Sequence, residues 1–280
     1  MRQARRPTVT HSFLKQLPSL VCRSAGDFIR AVALALHMQK DDSKYVLSYG
    51  GGVNSTALMI LLVERGYELD SVIFSDTGAE HPLTYNYLAV AQRYLNDHEI
   101  PWHVVKSRNG SLYETCKRRR VIPSQIWRWS TRDYKITPIY AYYRSLGGHI
   151  FQYIGIARDE VERIKSSHVD YVTNLYPLID LNLDREACIR VIKEAGLPVP
   201  VKSGCYFCPF NTVERWFELY QGQRLLFWRA VRLEESSKHF PRQKLNRIPL
   251  RTMAGQFRQG RIPVEKHTLS DSPCGGHCMT

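Results

Sequence analysis

"YVLSYGGGVNSTALMILL", residues 45–62, is the stretch that decides the fold. A short apolar run, Lys44–Tyr49, stops at Gly50, Gly51 and Gly52. The run from Ser55 to Arg65 is too long and too rich in Leu and Met to be a strand, and Gly66 ends it. The pattern reads as a buried strand, a glycine turn and a helix. A parallel strand that feeds a helix leaves the first helical N–H groups unpaired at the carboxyl edge of the sheet. Such groups attract anions, and glycines let a phosphate come close to the backbone. Ser48, Ser55 and Thr56 can add hydroxyl donors.

The alternation continues outward. "SVIFSD" (71–76) and "WHVVKS" (102–107) read as the second and third strands. Pro82 opens a helix that runs to about Asn96. "PIYAYYRSLGG" (138–148) reads as a helix before a fourth strand, "GHIFQYIGI" (148–156). "DREACIRVIKEAGLP" (184–198) is a helix with an Asp N-cap and a Gly–Pro stop. Strands alternating with helices predict an α/β fold, a parallel twisted sheet with helices on both faces. After about residue 200 the pattern turns to helices and coil with cysteine pairs at both ends. Three regions follow: a basic leader with a helix over 27–39 (1–43), a nucleotide-binding α/β domain (44–200) and a small helical, Cys-containing lobe (201–280).

The 280 residues are 44% hydrophobic and carry a net charge of +13, which calls for an anionic partner. No apolar run approaches the roughly 18–20 residues needed to span a bilayer, so a membrane partner is not expected. The first 24 residues hold Arg2, Arg5, Arg6, Lys15 and Arg23 and no acid. They lack the apolar core of a secretory signal and read as a disordered basic leader. Seven cysteines make an odd number for a disulfide framework in a chain long enough to need none. A reducing, cytoplasmic setting follows.

The glycine loop has no Gly-Lys-Ser/Thr and is not a Walker A loop. A dinucleotide fingerprint fits in part, with Ser55 at the third glycine position and Asp76 ending the second strand. Ser48 followed by Gly50-Gly51-Gly52-Val53-Asn54-Ser55 is a better match to the PP-loop, the S-G-G-x-D-S signature of the adenine nucleotide α-hydrolases. "FSDTGAEHPLTYNYL" (74–88), "WSTRDYKITPI" (129–139), "GIARDEVERIK" (155–165), "YPLIDL" (176–181) and "SGCYFCPF" (203–210) resemble, in order, further blocks of the phosphoadenosine phosphosulfate (PAPS) reductase family. The resemblance covers residues 45–210 and implies a Rossmann-like sheet that binds an adenylyl group at its carboxyl edge. It implies that Ser48, Gly50, Gly51, Gly52, Asn54, Ser55 and Thr56 cradle phosphate, with Asp76 near the adenosine or a Mg²⁺. It implies that Arg132 and Lys135, with Arg158 and Arg163, neutralise phosphate or sulfate charge. Asn54 stands where the family usually has Asp, keeping the shape and losing a charge.

Cys205-Tyr-Phe-Cys208 and Cys274-Gly-Gly-His-Cys278 are two close pairs, a pattern that fits a four-thiolate site for Zn²⁺ or a [4Fe–4S] cluster. Iron–sulfur members of the family use a Cys-Cys pair as well, and Trp129-Ser130 occupies its position here. Cys274 and Cys278 would then supply the missing ligands, with Cys116 a spare. Alternatively, "PCGGH" resembles the E-C-G-[LI]-H tail of sulfonucleotide reductases, which implies Cys274 as a nucleophile whose thiol is acidified by His277 and nearby arginines. Cys22 and Cys188 read as structural.

"CKRRRVIPSQIWRWSTRDYK" (116–135) interleaves Lys117, Arg118, Arg119, Arg120, Arg128, Arg132 and Lys135 with Trp127, Trp129 and Tyr134, against the single acid Asp133. Cations for phosphates and flat rings for bases make a nucleic-acid surface. Three readings follow. The first is an ATP-dependent enzyme that adenylates a nucleic acid, tRNA or DNA, for sulfur transfer from a donor protein. The second is a PAPS or adenylylsulfate reductase that releases sulfite through Cys274 with a thioredoxin-like donor. The third is a nucleotide or nucleic-acid binding module without turnover, which Asn54 and Ser130 would favour.

Overall fold

A computed structural model describes residues 42–124 and 127–262. The helix expected over 27–39, the leader, Cys22, Cys274, His277 and Cys278 lie outside the described residues. Five strands, β1 (Lys44–Tyr49), β2 (Ser71–Asp76), β3 (Trp102–Lys106), β4 (Ile150–Ile154) and β5 (Val172–Leu175), form one parallel sheet in the order β3-β2-β1-β4-β5. The chain winds outward from β1 to β3, then crosses to β4 on the other side. The order reverses between β1 and β4, and open α/β sheets bind ligands at such a reversal.

Side-chain alternation sorts the core into two layers. Leu47, Tyr49, Val72, Phe74 and Tyr153 face one side. There they meet α1 (Val53–Glu64), α2 (Pro82–Asp97) and, after a short helical turn at Pro177–Asp180, α5 (Arg185–Glu194). Val46, Ile73 and Ile150 face the other side and meet Ile139 and Tyr143 of α4 (Thr137–Leu146). α1 is buried from Val53 to Leu62. Its sequence is apolar all round because it is enclosed by the sheet and α5.

Three features depart from the expected pattern. β5 was not anticipated; four residues with one fully buried position carry no readable period. The basic run hides an amphipathic helix, α3 (Leu112–Arg119), which buries Leu112, Tyr113, Thr115 and Cys116. Ser111 caps it by accepting from the Glu114 amide, and its last-turn cations complement the helix dipole. Residues 158–163, to which the sequence pattern gave no element, form a six-residue 3₁₀ turn.

A third core builds a helical lobe. Trp216 and Leu219 of α6 (Val213–Gly222), Phe227 and Val231 of α7 (Arg224–Glu235), and Met253 and Phe257 of α8 (Leu250–Arg258) enclose it with α3, Trp129 and Tyr134. Glu234 is fully buried there, accepting the Leu245 amide at 2.8 Å and the Leu250 amide at 2.7 Å, which ties the start of α8 to α7. No helix among the described residues is long and apolar enough to cross a membrane.

His81 caps α2 through Nδ1, which accepts from the Leu83 amide at 3.2 Å. Only the neutral ring can accept there. Burial, and then the charge of Arg215, lowers its pKa from 6.5 to about 4. The stabilisation by the neutral ring is therefore complete above pH 6.5 and disappears as pH falls through about 4. His81→Asn keeps a capping oxygen that does not titrate. Urea unfolding from pH 7 down to pH 4 should show the native chain losing stability relative to this variant, and parallel curves would refute the capping role.

Candidate functional site at the sheet switch point

The loop after β1 opens into a cleft between the sheet and the helical lobe. Gly51 takes φ +73°, and a Cβ on it would meet Thr84 of α2 at 3.2 Å, so glycine is required for the turn and for the packing behind it. Gly52 caps α1 and faces the Ser203 hydroxyl, where a Cβ would lie 3.0 Å from Oγ. The Ser55 hydroxyl closes the loop on itself, accepting from the Gly52 amide at 3.2 Å and donating to the Gly52 carbonyl at 3.1 Å. The first intrahelical bond runs from the Thr56 amide to the Gly52 carbonyl. The amides of Val53, Asn54 and Ser55 precede it, and all three residues line the cleft.

β4 ends against this loop. A Cβ on Gly155 would lie 2.7 Å from the Ser55 amide nitrogen and 2.8 Å from its Cα, so only glycine lets the two backbones touch. Beyond it, Glu160 accepts from Asn54 Nδ2 at 2.8 Å and pairs with Arg163. Among the described residues, Glu160 is the only carboxylate in the wall. Arg128, Lys135, Arg163, Arg185 and Lys202 line the same cleft, five cations against one acid among the described residues. Asn54 Oδ1 and Arg163 Nε are buried with no protein partner, one an acceptor and one a donor.

The opposite wall comes from the helical lobe. Residues 204–206 pair with 79–81: the His81 amide donates to the Gly204 carbonyl at 2.9 Å and the Tyr206 amide to the Ala79 carbonyl at 3.0 Å. This bridge joins the "DTGAEHP" block to the "SGCYFCPF" block. Arg215 holds the segment ahead of this bridge by donating to the Lys202 carbonyl at 2.6 Å. Lys135 lies in a π-helical turn, Arg132–Ile136, whose Tyr134 carbonyl accepts from Ser75 Oγ at 2.7 Å. Such turns carry one extra residue and cluster at functional sites.

The residues singled out from the sequence for the nucleotide site and the Cys205–Cys208 pair separate into two groups. Gly50, Gly52, Asn54, Ser55, Lys135, Arg163, Cys205 and Cys208 line the cleft. Ser48, Gly51, Thr56, Asp76, Arg132 and Arg158 are not in its wall. Ser48 faces a small cavity behind β1, and Thr56 is buried against the Tyr49 hydroxyl at 2.9 Å. Asp76 accepts from the Gly78 amide and the Tyr85 hydroxyl and pairs with Lys106, so it braces the loop after β2. Arg132 is exposed and bound to Asp133, and Arg158 pairs with Asp184. Thr77, Ser203 and Phe210 are cleft residues inside the family-like blocks that were given no role, and Arg185 and Lys202 are cleft residues outside those blocks.

Among the described residues the cysteines form no complete metal site. Cys205 and Cys208 are free thiols, with the Cys208 amide donating to the Cys205 carbonyl at 3.0 Å. Burial, and then the nearby Glu80 carboxylate, raises the Cys205 pKa, so the thiol is neutral. Two thiols are too few for a four-coordinate zinc or a cluster. No group of three or more potential ligands occurs among the described residues, and Cys274 and Cys278 lie outside them. Cys116 is buried in the lobe core with its pKa pushed up to about 12, which suits packing.

Lys117, Arg118, Arg119 and Arg120 are exposed along the end of α3. The two tryptophans differ. Trp127 is 55% exposed, but Trp129 is only 7% exposed because its ring packs against Tyr134 in the lobe core. Trp129 is therefore not the open stacking face that the sequence pattern suggested.

The phosphoadenosine phosphosulfate reductase domain model matches residues 44–182, a range that spans the whole sheet. Residues 44–182 are thus a PAPS reductase domain. Among solved structures, a phosphoadenylyl-sulfate reductase from Candida auris, in a phosphate complex, is 15% identical; the match covers 69% of this chain and 91% of that one with a TM-score of 0.41. The U34-tRNA thiolase NcsA from Methanococcus maripaludis, with its [4Fe-4S] cluster, is 13% identical over 99% of this chain and 94% of that one, with a TM-score of 0.43. No curated protein matches the chain at a significant level.

Gly155→Ala tests the contact on which this family domain's cleft depends. The added methyl meets backbone on α1, not a flexible side chain, so the helix start must shift. On the nucleotide-binding reading proposed below, the variant should remain folded by circular dichroism and lose at least about ten-fold in nucleotide affinity, roughly 1.4 kcal/mol. Unchanged affinity by calorimetry would show that the loop tolerates displacement.

Proposed function

We propose that the cleft binds an adenine nucleotide and that the protein is an ATP-dependent enzyme which adenylates a nucleic acid for sulfur transfer or a related substitution. The observation that supports this most is the convergence in one cleft of the α1 amide end, five cations and a single committed carboxylate. Phosphoryl and adenylyl transfer depend on positioning and on charge stabilisation. In the first step an acceptor oxygen attacks the α-phosphorus, the bond to the leaving oxygen breaks, and pyrophosphate departs. In the second, sulfide from a donor protein attacks the activated carbon and AMP leaves with the oxygen. The amides of Val53, Asn54 and Ser55 and the loop glycines would hold the phosphates. Lys135 and Lys202 would stabilise charge on the α-phosphate and on pyrophosphate. Mg²⁺ would enter with the nucleotide, neutralising its phosphates. The four free cysteines of the described residues support a reducing, cytoplasmic setting.

The family domain supports a second reading, sulfonucleotide reduction: the Cys274 thiolate attacks the sulfate sulfur, the bond from that sulfur to the nucleotide's phosphate oxygen breaks and the nucleotide leaves, and a thioredoxin-like dithiol then attacks the Cys274 sulfur, releasing sulfite and becoming a disulfide. Thermal shift with Mg-ATP, PAPS and adenylylsulfate in parallel separates the two. A ligand at about 100 times its Kd stabilises by roughly 2.7 kcal/mol, a rise of about 5–10 °C. We expect the shift with Mg-ATP, reduced at least about ten-fold in affinity by Lys135→Ala. A shift with PAPS or adenylylsulfate alone, followed by sulfite release that Cys274→Ser abolishes, would establish the reductase instead.

The exposed cations of α3 support the nucleic-acid partner. Replacing Arg118, Arg119 and Arg120 with Ser should weaken RNA or DNA binding and flatten its salt dependence by up to about three phosphate contacts. An unchanged salt slope would remove α3 from the interface.

A further inference from the structure

Beside the nucleotide cleft lies a second groove, lined by Arg119, Val121, Trp127, Arg128, Trp129, Arg132 and Asp133. We infer that this groove is a nucleobase site, which holds one unpaired base of a single-stranded nucleic acid against Trp127 at the mouth of the cleft. The inference rests on the nucleic-acid reading above and names the form in which that partner is recognised.

Trp127 is the most exposed aromatic residue among those described, and water contact over so much indole surface is unfavourable. Its backbone is nonetheless tied down: the Trp127 amide donates to Ser124 Oγ at 2.8 Å, and the Ser124 amide donates to the Trp127 carbonyl at 3.3 Å. The ring is therefore presented from an anchored position. Its aromatic neighbour, Trp129, lies 6.5 Å away at 54° and so does not cover it in a parallel stack. Trp129 forms the floor, and its Nε1 is buried with no protein acceptor.

The groove's charges suit a base flanked by phosphates. Three arginines face one aspartate: Asp133 lies 2.8 Å from Arg132 and 4.0 Å from Arg119. The Arg119 guanidinium also sits over the Trp129 ring at 5.6 Å. Lys117, Arg118 and Arg120 extend the cation row along α3. A flat ring amid guanidinium donors binds any base through its face and any phosphate through charge. A paired base in a duplex has both faces covered by its neighbours and cannot use the ring.

Arg128 ties the two sites together. It lines both the groove and the cleft, and its guanidinium stacks 4.8 Å from the centre of Phe210 in the cleft wall. The two sites therefore share a side chain in their walls. A nucleotide adjacent to the one on Trp127 would reach the cleft mouth directly, which is how a modifying enzyme needs its target presented.

The test is fluorescence anisotropy on the full chain with a labelled single-stranded dodecamer, as RNA and as DNA. The same backbone with abasic sites and the corresponding duplex serve as comparison. Stacking predicts that the base-bearing strand binds at least about ten-fold more tightly than the abasic strand. Trp127→Ala should abolish that difference without changing abasic affinity, and Trp127→Phe should keep most of it. Unliganded melting of both variants checks folding. Equal binding of base-bearing and abasic strands, an equal loss for both in Trp127→Ala, or a preference for duplex would overturn the base site and leave the nucleic-acid partner standing. Failure of every oligomer to bind would overturn both, whereas the Mg-ATP shift reports on the nucleotide cleft alone.

Discussion

The cleft depends on one contact between backbones. Gly155, at the end of β4, touches Asn54 and Ser55 at the start of α1, with no room for a methyl group. Because β1 and β4 are neighbours at the reversal of strand order, this contact sets where the α1 amides point. It also brings the 3₁₀ turn that carries Glu160 and Arg163 to the glycine loop. A larger residue at 155 would displace the first turn of α1.

The second determinant is the bridge between residues 79–81 and 204–206. It connects the loop after β2 to the lobe and turns a groove at a sheet edge into a two-walled cleft. Lys202, Ser203, Cys205 and Phe210 lie on or beside this pairing and line the site. The lobe core then packs Trp129 and Tyr134 beneath the π-helical turn. Lys135 is held from that side while Ser75 braces the same turn from the sheet. The site is therefore built by three structural units, none of which contains it alone.

Electrostatics follows the same division. Inside the cleft, Glu160 is fully engaged by Asn54 and Arg163, so the remaining cations are set against very little negative charge. Outside it, Asp133 plays the corresponding part between Arg119 and Arg132. Both carboxylates order their arginines while leaving an excess of positive charge for a polyanion. Asn54 belongs to this pattern: where a carboxylate would repel Glu160, the amide donates to it.

By itself the sequence determined the α/β class, the glycine loop between β1 and α1, and a basic aromatic segment, because each is written in local spacing and residue type. Backbone torsions, amphipathic period and capping act over a few residues and leave a readable trace. The sequence did not determine which members of that segment reach the ligand. Trp127 and Trp129 are two positions apart and identical in type, yet one is open to water and the other is in the lobe core. Asp76 and Lys135 both sit in family-like blocks, yet one braces a loop and the other lines the cleft. Those outcomes were decided by the tertiary structure, because burial and hydrogen-bond partners are set by segments more than a hundred residues apart, such as Asn54 with Glu160 and Ala79 with Tyr206.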